Sequence, residues 1–214
     1  MSGSHTTGLP FVDYQYPQTP AAPGQRLVLV GEAPGAEEVR LGRPFVGRSG
    51  KLLDEALVSI GIDRASVLVA NVFRFQPPAN KIGHFFASRR RARSEGISLA
   101  EDWGAFGSSD YCRSPYNAEL EHLRTVLVDW QPAVIVGLGR TPLWALTGLG
   151  GIGALRGQCL PGRMVPGVPV LPTYHPSFLL RGQWSLLPVF RADLQQAAEL
   201  AASASRRHAN VASD

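Results

Sequence analysis

The chain has 214 residues, 44% of them apolar, and a formal net charge of +4. That supplies one packed domain with room for an insertion, and the mildly basic balance admits nucleic acid as a partner without requiring it. The two cysteines, Cys112 and Cys159, form no C-x-x-C pair, which excludes a disulfide scaffold or a four-thiolate metal site, and no run of about 18 apolar residues exists to span a membrane.

Residues 1–25, rich in Gly, Pro, Thr and Gln, read as an extended arm, with Tyr14 and Tyr16 as candidates to pin it to the body. The opening MSGSHTTGLP has neither a basic n-region nor an apolar h-region, so no signal peptide is expected. RLVLV at 26–30 is a short apolar run ended by Gly31, the pattern of a buried parallel strand. SGKLLDEALVSI at 49–60 places Leu52, Leu53, Ala56, Leu57 and Ile60 on one helical face, between a Ser49 cap and a Gly61 stop. VLVANVF at 67–73 is a second strand, with Asn71 near its end.

Residues 74–117 break this rhythm. QPPAN at 76–80 suits neither helix nor central strand, and the irregular stretch from there to residue 117 is too long for a compact loop. We read an insertion at about 81–117, partly helical around 84–93. Order returns with a helix over AELEHLRTVLVDW, a third strand at 133–139, a short helix in TPLWALTG and a last strand at 169–175. A closing helix spans 188–204, and 205–214 read as a flexible tail. Strands alternating with helices predict an α/β domain over 26–204, three layers (α/β/α) around a parallel sheet. Ligands bind such sheets beyond the carboxyl ends of the strands. The segments 31–47, 71–80 and 173–181 all lie there and should share one cleft.

GEAPG at 31–35 invites a phosphate-loop reading, which fails. A Walker loop needs G-K-[ST], but Leu52 comes after Gly50 and Lys51. GEAPG lacks the G-x-G-x-x-G spacing, and Glu32, Glu37 and Glu38 would repel a polyphosphate. The remaining polar groups suit a flat heterocycle. Asn71 offers one acceptor and two donors, although a purely loop-bracing asparagine fits as well. His175 ends the last strand, and Phe45 is either a core anchor or a stacking plate.

GEAPG, GRPFVGRSGKLLD, NVFRFQPPANK and TYHPSFLLR, in this order, resemble the motifs of the uracil-DNA glycosylase superfamily, closest to its bacterial and archaeal iron–sulfur group. The resemblance implies a four-stranded parallel sheet and a monofunctional hydrolase that removes uracil from DNA after flipping the nucleotide out of the stack. It implies that Glu32 orients the attacking water, Phe45 stacks on uracil, Asn71 reads the uracil N3–H and O4 edge, and His175 donates to O2. Ser177 to Arg181, with Ser177, Leu179 and Arg181 as contacts, resembles the segment that enters the DNA minor groove. The wall that excludes thymine is expected in the turn from Gly35 to Glu38.

Two departures modify that picture. The iron–sulfur members use four cysteines, beginning with a close pair near the N-terminus, whereas this chain has none before Cys112, so no cluster and no other cofactor or metal is expected. The insertion carries Lys81, Arg89, Arg90, Arg91 and Arg93 before its first acid, Glu95. These are either a solvated face or phosphate contacts beside the cleft. The expected partner is uracil-containing DNA, single- or double-stranded, bound by a cytoplasmic monomer with no membrane association. The alternatives are a glycosylase for 5-hydroxymethyluracil or hypoxanthine, and a protein that binds abasic or damaged DNA with little catalysis.

Overall fold

A computed structural model describes residues 8–19 and 26–211, with the side chains of the last helix described as far as residue 204. Its centre is a sheet built from β1 (Leu27–Gly31), β2 (Leu68–Asn71), β6 (Val134–Leu138), β7 (Leu160–Pro161) and β8 (Pro169–Thr173), in the order β2-β1-β6-β8-β7. The strands β2, β1, β6 and β8 are mutually parallel, as their unbroken apolar runs predict, and β7 adds an antiparallel edge to β8.

Alternation along β1 divides the core. Leu27 and Leu29 face one layer with Leu53 and Leu57 of α2 (Arg48–Ser59) and Phe190 and Leu194 of α8 (Leu187–Val211). Val28 and Val30 face the other, with Leu120, Leu123 and Leu127 of α4 (Asn117–Trp130) and Trp144 of α5 (Arg140–Thr147). Each fully buried side chain of this kind stabilises the domain by about 1.5–3 kcal/mol. Both faces are therefore covered, and the strand ends are the remaining place for a site.

The insertion has its own structure. β3 (Phe86–Ser88), β4 (Leu99–Ala100) and β5 (Asp110–Arg113) form an antiparallel sheet in the order β3-β5-β4, with α3 (Arg89–Glu95) between β3 and β4. Phe86 stacks on Phe106 at 4.2 Å and 17°, and both rings meet Trp144 edge-on. Arg163 locks this unit to α5. It donates to the carbonyls of Trp103, Ala145 and Trp144 at 2.7–2.9 Å and lies over both indole rings.

The arm is tied to the β2 edge by single antiparallel bridges, Phe11 to Phe75 and Gln15 to Val69. Tyr14 is buried, whereas Tyr16 is exposed against Trp130. Arg74 completes the anchorage. It lies over the Phe11 and Tyr14 rings and pairs in a two-pronged fashion with the buried Glu119. Residues 1–7 and 20–25 of the arm and 212–214 of the tail lie outside the described residues.

Candidate active site

The segments that leave β1, β2, β6 and β8 enclose a cleft of about 900 Å³. Glu32, Phe45, Asn71 and His175 all line it, together with Arg140, Arg181 and the start of α6 (Ile152–Leu155). Glycines make that convergence possible. Gly31 closes β1 in register with Asn71, and a Cβ there would press on the Phe45 ring and lie 2.5 Å from Asn71 Oδ1. A Cβ on Gly50 would collide with the Phe45 carbonyl. At Gly139, whose φ is +100°, it would come within 3.0 Å of His175 Cβ.

Phe45 adopts φ +51°, a left-handed conformation that costs a non-glycine residue on the order of 1–3 kcal/mol. Arg64 holds it there by donating to the carbonyls of Pro44 (2.6 Å) and Phe45 (2.9 Å), while it pairs with Asp54 (2.7 Å) and Gln15 (3.0 Å). The phenyl ring is buried, 5.6 Å from the His175 ring. Glu38 braces the same loop. One carboxylate oxygen accepts from the Gly35 N–H, the other from Val46 and Gly47, all at 3.1 Å. Glu37 is spent on a surface pair with Arg40. The Gly35–Glu38 turn, which opens α1 (Ala36–Leu41), lies at the cleft wall.

Glu32 accepts a 2.5 Å hydrogen bond from Thr141 Oγ1. Burial raises its carboxyl pKa above the ordinary value, and the Thr141 hydrogen bond and the Arg140 and Arg181 charges pull it partly back. His175 caps α7 (Pro176–Leu180): its Nδ1 accepts the Ser177 N–H at 3.1 Å, with Ser177 Oγ at 2.8 Å. Because Nδ1 accepts from the backbone, the neutral ring carries its proton on Nε2. Burial, reinforced by Arg181, pushes the imidazole down to about 4, so it is neutral at physiological pH. Asn71 is 3% exposed, yet among the described residues nothing hydrogen-bonds its side-chain amide. A nearly buried amide left open towards a cleft is a group that awaits a ligand.

The remaining candidates divide. Ser177 lines the cleft and accepts from Arg181 at 3.1 Å. Leu179 is a correction: it is fully buried against the α2 and α8 side chains and has no surface to offer DNA, whereas its neighbour Phe178 is 36% exposed at the cleft. Lys81 is exposed beside Asn80, a cleft residue. Arg89, Arg90, Arg91 and Arg93 sit on α3 and none lines the cleft. Arg89 pairs with Glu101 at 2.6 Å and Arg91 with Glu95 at 3.0 Å. Sequence reasoning missed Thr141, Arg140, Arg64 and the three glycines. The available signal was GLGRT, a glycine-broken turn leaving a parallel strand at the ligand-binding edge.

Residues 17–198 match the model of the uracil DNA glycosylase superfamily. The chain is 34% identical over 158 residues to a type-4 uracil-DNA glycosylase of Thermotoga maritima, covering 74% of this chain and 68% of that one. It is 32% identical over 181 residues to the type-4 enzyme of Pyrobaculum aerophilum, covering 79% and 73%. A shorter stretch of 55 residues is 53% identical to the Archaeoglobus fulgidus type-4 enzyme.

These relatives overturn the expectation of no cofactor, since the type-4 enzymes are iron–sulfur proteins and the family thus implies a cluster. The donors present do not fit the usual four thiolates. Cys112 is buried in β5, where burial pushes its thiol up to about 12, and Cys159 is exposed. Among the described residues no three or more His, Cys, Asp or Glu side chains gather as a metal site. The donor set of this chain and the cluster of its family therefore disagree. The match across most of the chain, on a parallel sheet whose strand ends gather the motif residues, establishes that the chain belongs to the uracil DNA glycosylase superfamily.

Proposed function

We propose that this cleft hydrolyses the N-glycosidic bond of deoxyuridine in DNA. Uracil removal, leaving an abasic site, is the first step of base excision repair, and the chain is a hydrolytic N-glycosylase of that kind. The observation that carries the site assignment is the open Asn71 amide, which lines the same cleft as the Phe45 ring and the proton-bearing His175.

A flipped uracil stacks on Phe45 and presents N3–H and O4 to the acceptor and donor of Asn71. Cytosine reverses that pattern and leaves the amide unpaired, the kind of mismatch that discriminates strongly. As the C1′–N1 bond breaks, negative charge develops on the base towards O2. A neutral His175 donates there without the burden of a charged partner. The sugar becomes cationic, and Glu32 stabilises it and orients the water that adds at C1′. No lysine stands in the nucleophile's place, so strand cleavage by a Schiff base is not part of the reaction. We take the enzyme to act as a cytoplasmic monomer on single- or double-stranded DNA; a single chain supplies every residue of the cleft, so the site needs no second copy. No helix among the described residues is long and apolar enough to cross a membrane. Phe178, exposed at the cleft, takes the wedge role that the buried Leu179 cannot fill.

The test uses labelled oligonucleotides with one uracil, single-stranded or opposite guanine or adenine. Alkali-dependent breaks at uracil, absent with thymine, 5-hydroxymethyluracil or hypoxanthine, are expected. Asn71→Ala should lower kcat/KM by about tenfold to a hundredfold, the loss of hydrogen bonds that only the correct base makes. An unchanged Asn71→Ala rate would remove the amide from base reading. Gly31→Ala should displace both Phe45 and Asn71, with a similar fall in kcat/KM. It should also lower the melting temperature, because overpacking costs about 1–3 kcal/mol. A Gly31→Ala enzyme with normal kinetics would show that the ring and amide positions are not tied to activity.

A further inference from the structure

We propose that Arg140 binds a phosphate flanking the flipped nucleotide, and that Phe106 of the insertion is its positioning residue. This rests on the uracil-excision reading. Arg140 is the first residue of α5 and lines the cleft. The positive end of a helix dipole is an unfavourable place for a cation, so local preference disfavours arginine there. Such a conflict is expected where a residue serves a ligand rather than the fold.

Its contacts point the same way. The arginines of the body and insertion are largely committed: Arg64, Arg74, Arg89, Arg91, Arg124 and Arg156 have carboxylate partners. Arg163 is spent on three backbone carbonyls. Arg140 makes no ion pair and no hydrogen bond among the described residues; its charge lowers the Glu32 pKa, but the hydrogen bond to Glu32 comes from Thr141. What holds Arg140 is a ring. Its guanidinium carbon lies 4.7 Å from the Phe106 centroid, and Phe106 is itself fixed by stacking on Phe86 and by the edge of Trp144. An aromatic face orients a guanidinium while leaving its N–H donors free. A rigid, open fork of donors at the rim of a site that takes DNA is matched by a phosphodiester, the anion that accompanies every nucleotide entering the cleft. The insertion thus reaches the site through Phe106, although its arginine-rich helix does not line the cleft.

The experiment is a salt titration of binding to an oligonucleotide carrying 2′-fluorinated deoxyuridine, which resists cleavage, read by fluorescence anisotropy. For Arg140→Gln the slope of log K against log salt should become shallower by about 0.9 on duplex or 0.7 on single-stranded DNA. KM for excision should rise roughly tenfold, and the acid limb of kcat should move to higher pH because the Arg140 charge also lowers the Glu32 carboxyl pKa. Phe106→Leu should raise KM in the wild-type background and add nothing in the Arg140→Gln background. If Phe106→Leu does not fold, Arg140→Lys replaces it, with the salt slope kept and KM raised, because the charge stays and the planar stacking is lost. An unchanged slope in Arg140→Gln, or effects of the two substitutions that multiply independently, would overturn the proposal. A wild-type protein that yields no abasic product would instead refute the excision reading, and the binding slope would still decide the phosphate contact.

Discussion

Replacing His175 by alanine is expected to lower kcat for uracil excision by about 10²–10³, with a much smaller change in KM. The reason is where its proton lies. Nδ1 is occupied by the Ser177 N–H, so Nε2–H is the end left to face the leaving base. A hydrogen bond that strengthens only as charge develops acts on the transition state, and removing one such donor has effects of that size. Alanine also removes the cap of α7, which costs about 0.5–2 kcal/mol. His175→Asn separates the two losses. Its carbonyl can restore the cap, so melting should recover while kcat does not; recovery of both would assign His175 a purely structural role.

The pH behaviour supplies a further check. With the imidazole at about 4, no inflection near 6.5 should come from this residue. Its folded value lies below its unfolded one, so the unfolded chain takes up the proton first as pH falls. The stability associated with neutral His175 is therefore complete above about 6.5 and is lost as pH drops towards 4. That slope should be missing in His175→Asn.

Glu32→Gln should reduce kcat by roughly 10²–10⁴ while DNA binding is kept. Glutamine retains an oxygen for Thr141 but no charge for the sugar cation. Burial raises the Glu32 pKa, which means that the native state holds its proton more tightly than the unfolded chain does. Stability is thus greatest below the unfolded value and declines as pH rises through the folded one. Above the folded value the ionised carboxylate opposes folding, and Glu32→Gln should melt there at the same temperature as wild type or higher. An active but less stable variant would invert both expectations and give Glu32 a structural role. On the proposed role, in which the ionised form works, activity should fall on the acid side at a higher pH than an ordinary glutamate would give. Thr141→Val removes a donor to that carboxylate and should move this limb to still higher pH. A limb that does not move would detach Thr141 from Glu32 in solution.

Much of the site was legible because its residues occupy positions that topology makes special. Glu32, Asn71 and His175 each lie at or just past the end of an apolar strand, and such ends converge in any parallel α/β sheet. The fold was legible for the same reason: RLVLV, VLVANVF and AVIVGLG are long enough, and apolar enough, to declare themselves. The small sheet of the insertion was not. FAS, LA and DYCR are two to four residues long, with no alternation to set them apart from loop. Leu179 was misplaced because a five-residue helix turns its side chains outward and inward within one turn, and only packing shows which neighbour faces out. Arg64, Arg140 and Thr141 were missed because their roles depend on partners distant in the chain, such as Thr141 on Glu32, and spacing says nothing about those. The cofactor expectation failed differently. Counting cysteines describes the donors a chain owns, while the family says what its members hold.

Arg64 leads to a last consequence. One guanidinium joins the arm through Gln15, α2 through Asp54 and the Pro44–Phe45 carbonyls that fix the aromatic plate. The plate is therefore held by the fold itself, before any base arrives. Adaptation on binding then falls to the DNA, which must bend and unstack to reach a slot that does not come to meet it. Lesions in soft surroundings, such as single strands and mismatches, will be the quickest to enter. On the proposed reading, the preference among sites is expected to follow the pliancy of the substrate rather than contacts with neighbouring bases.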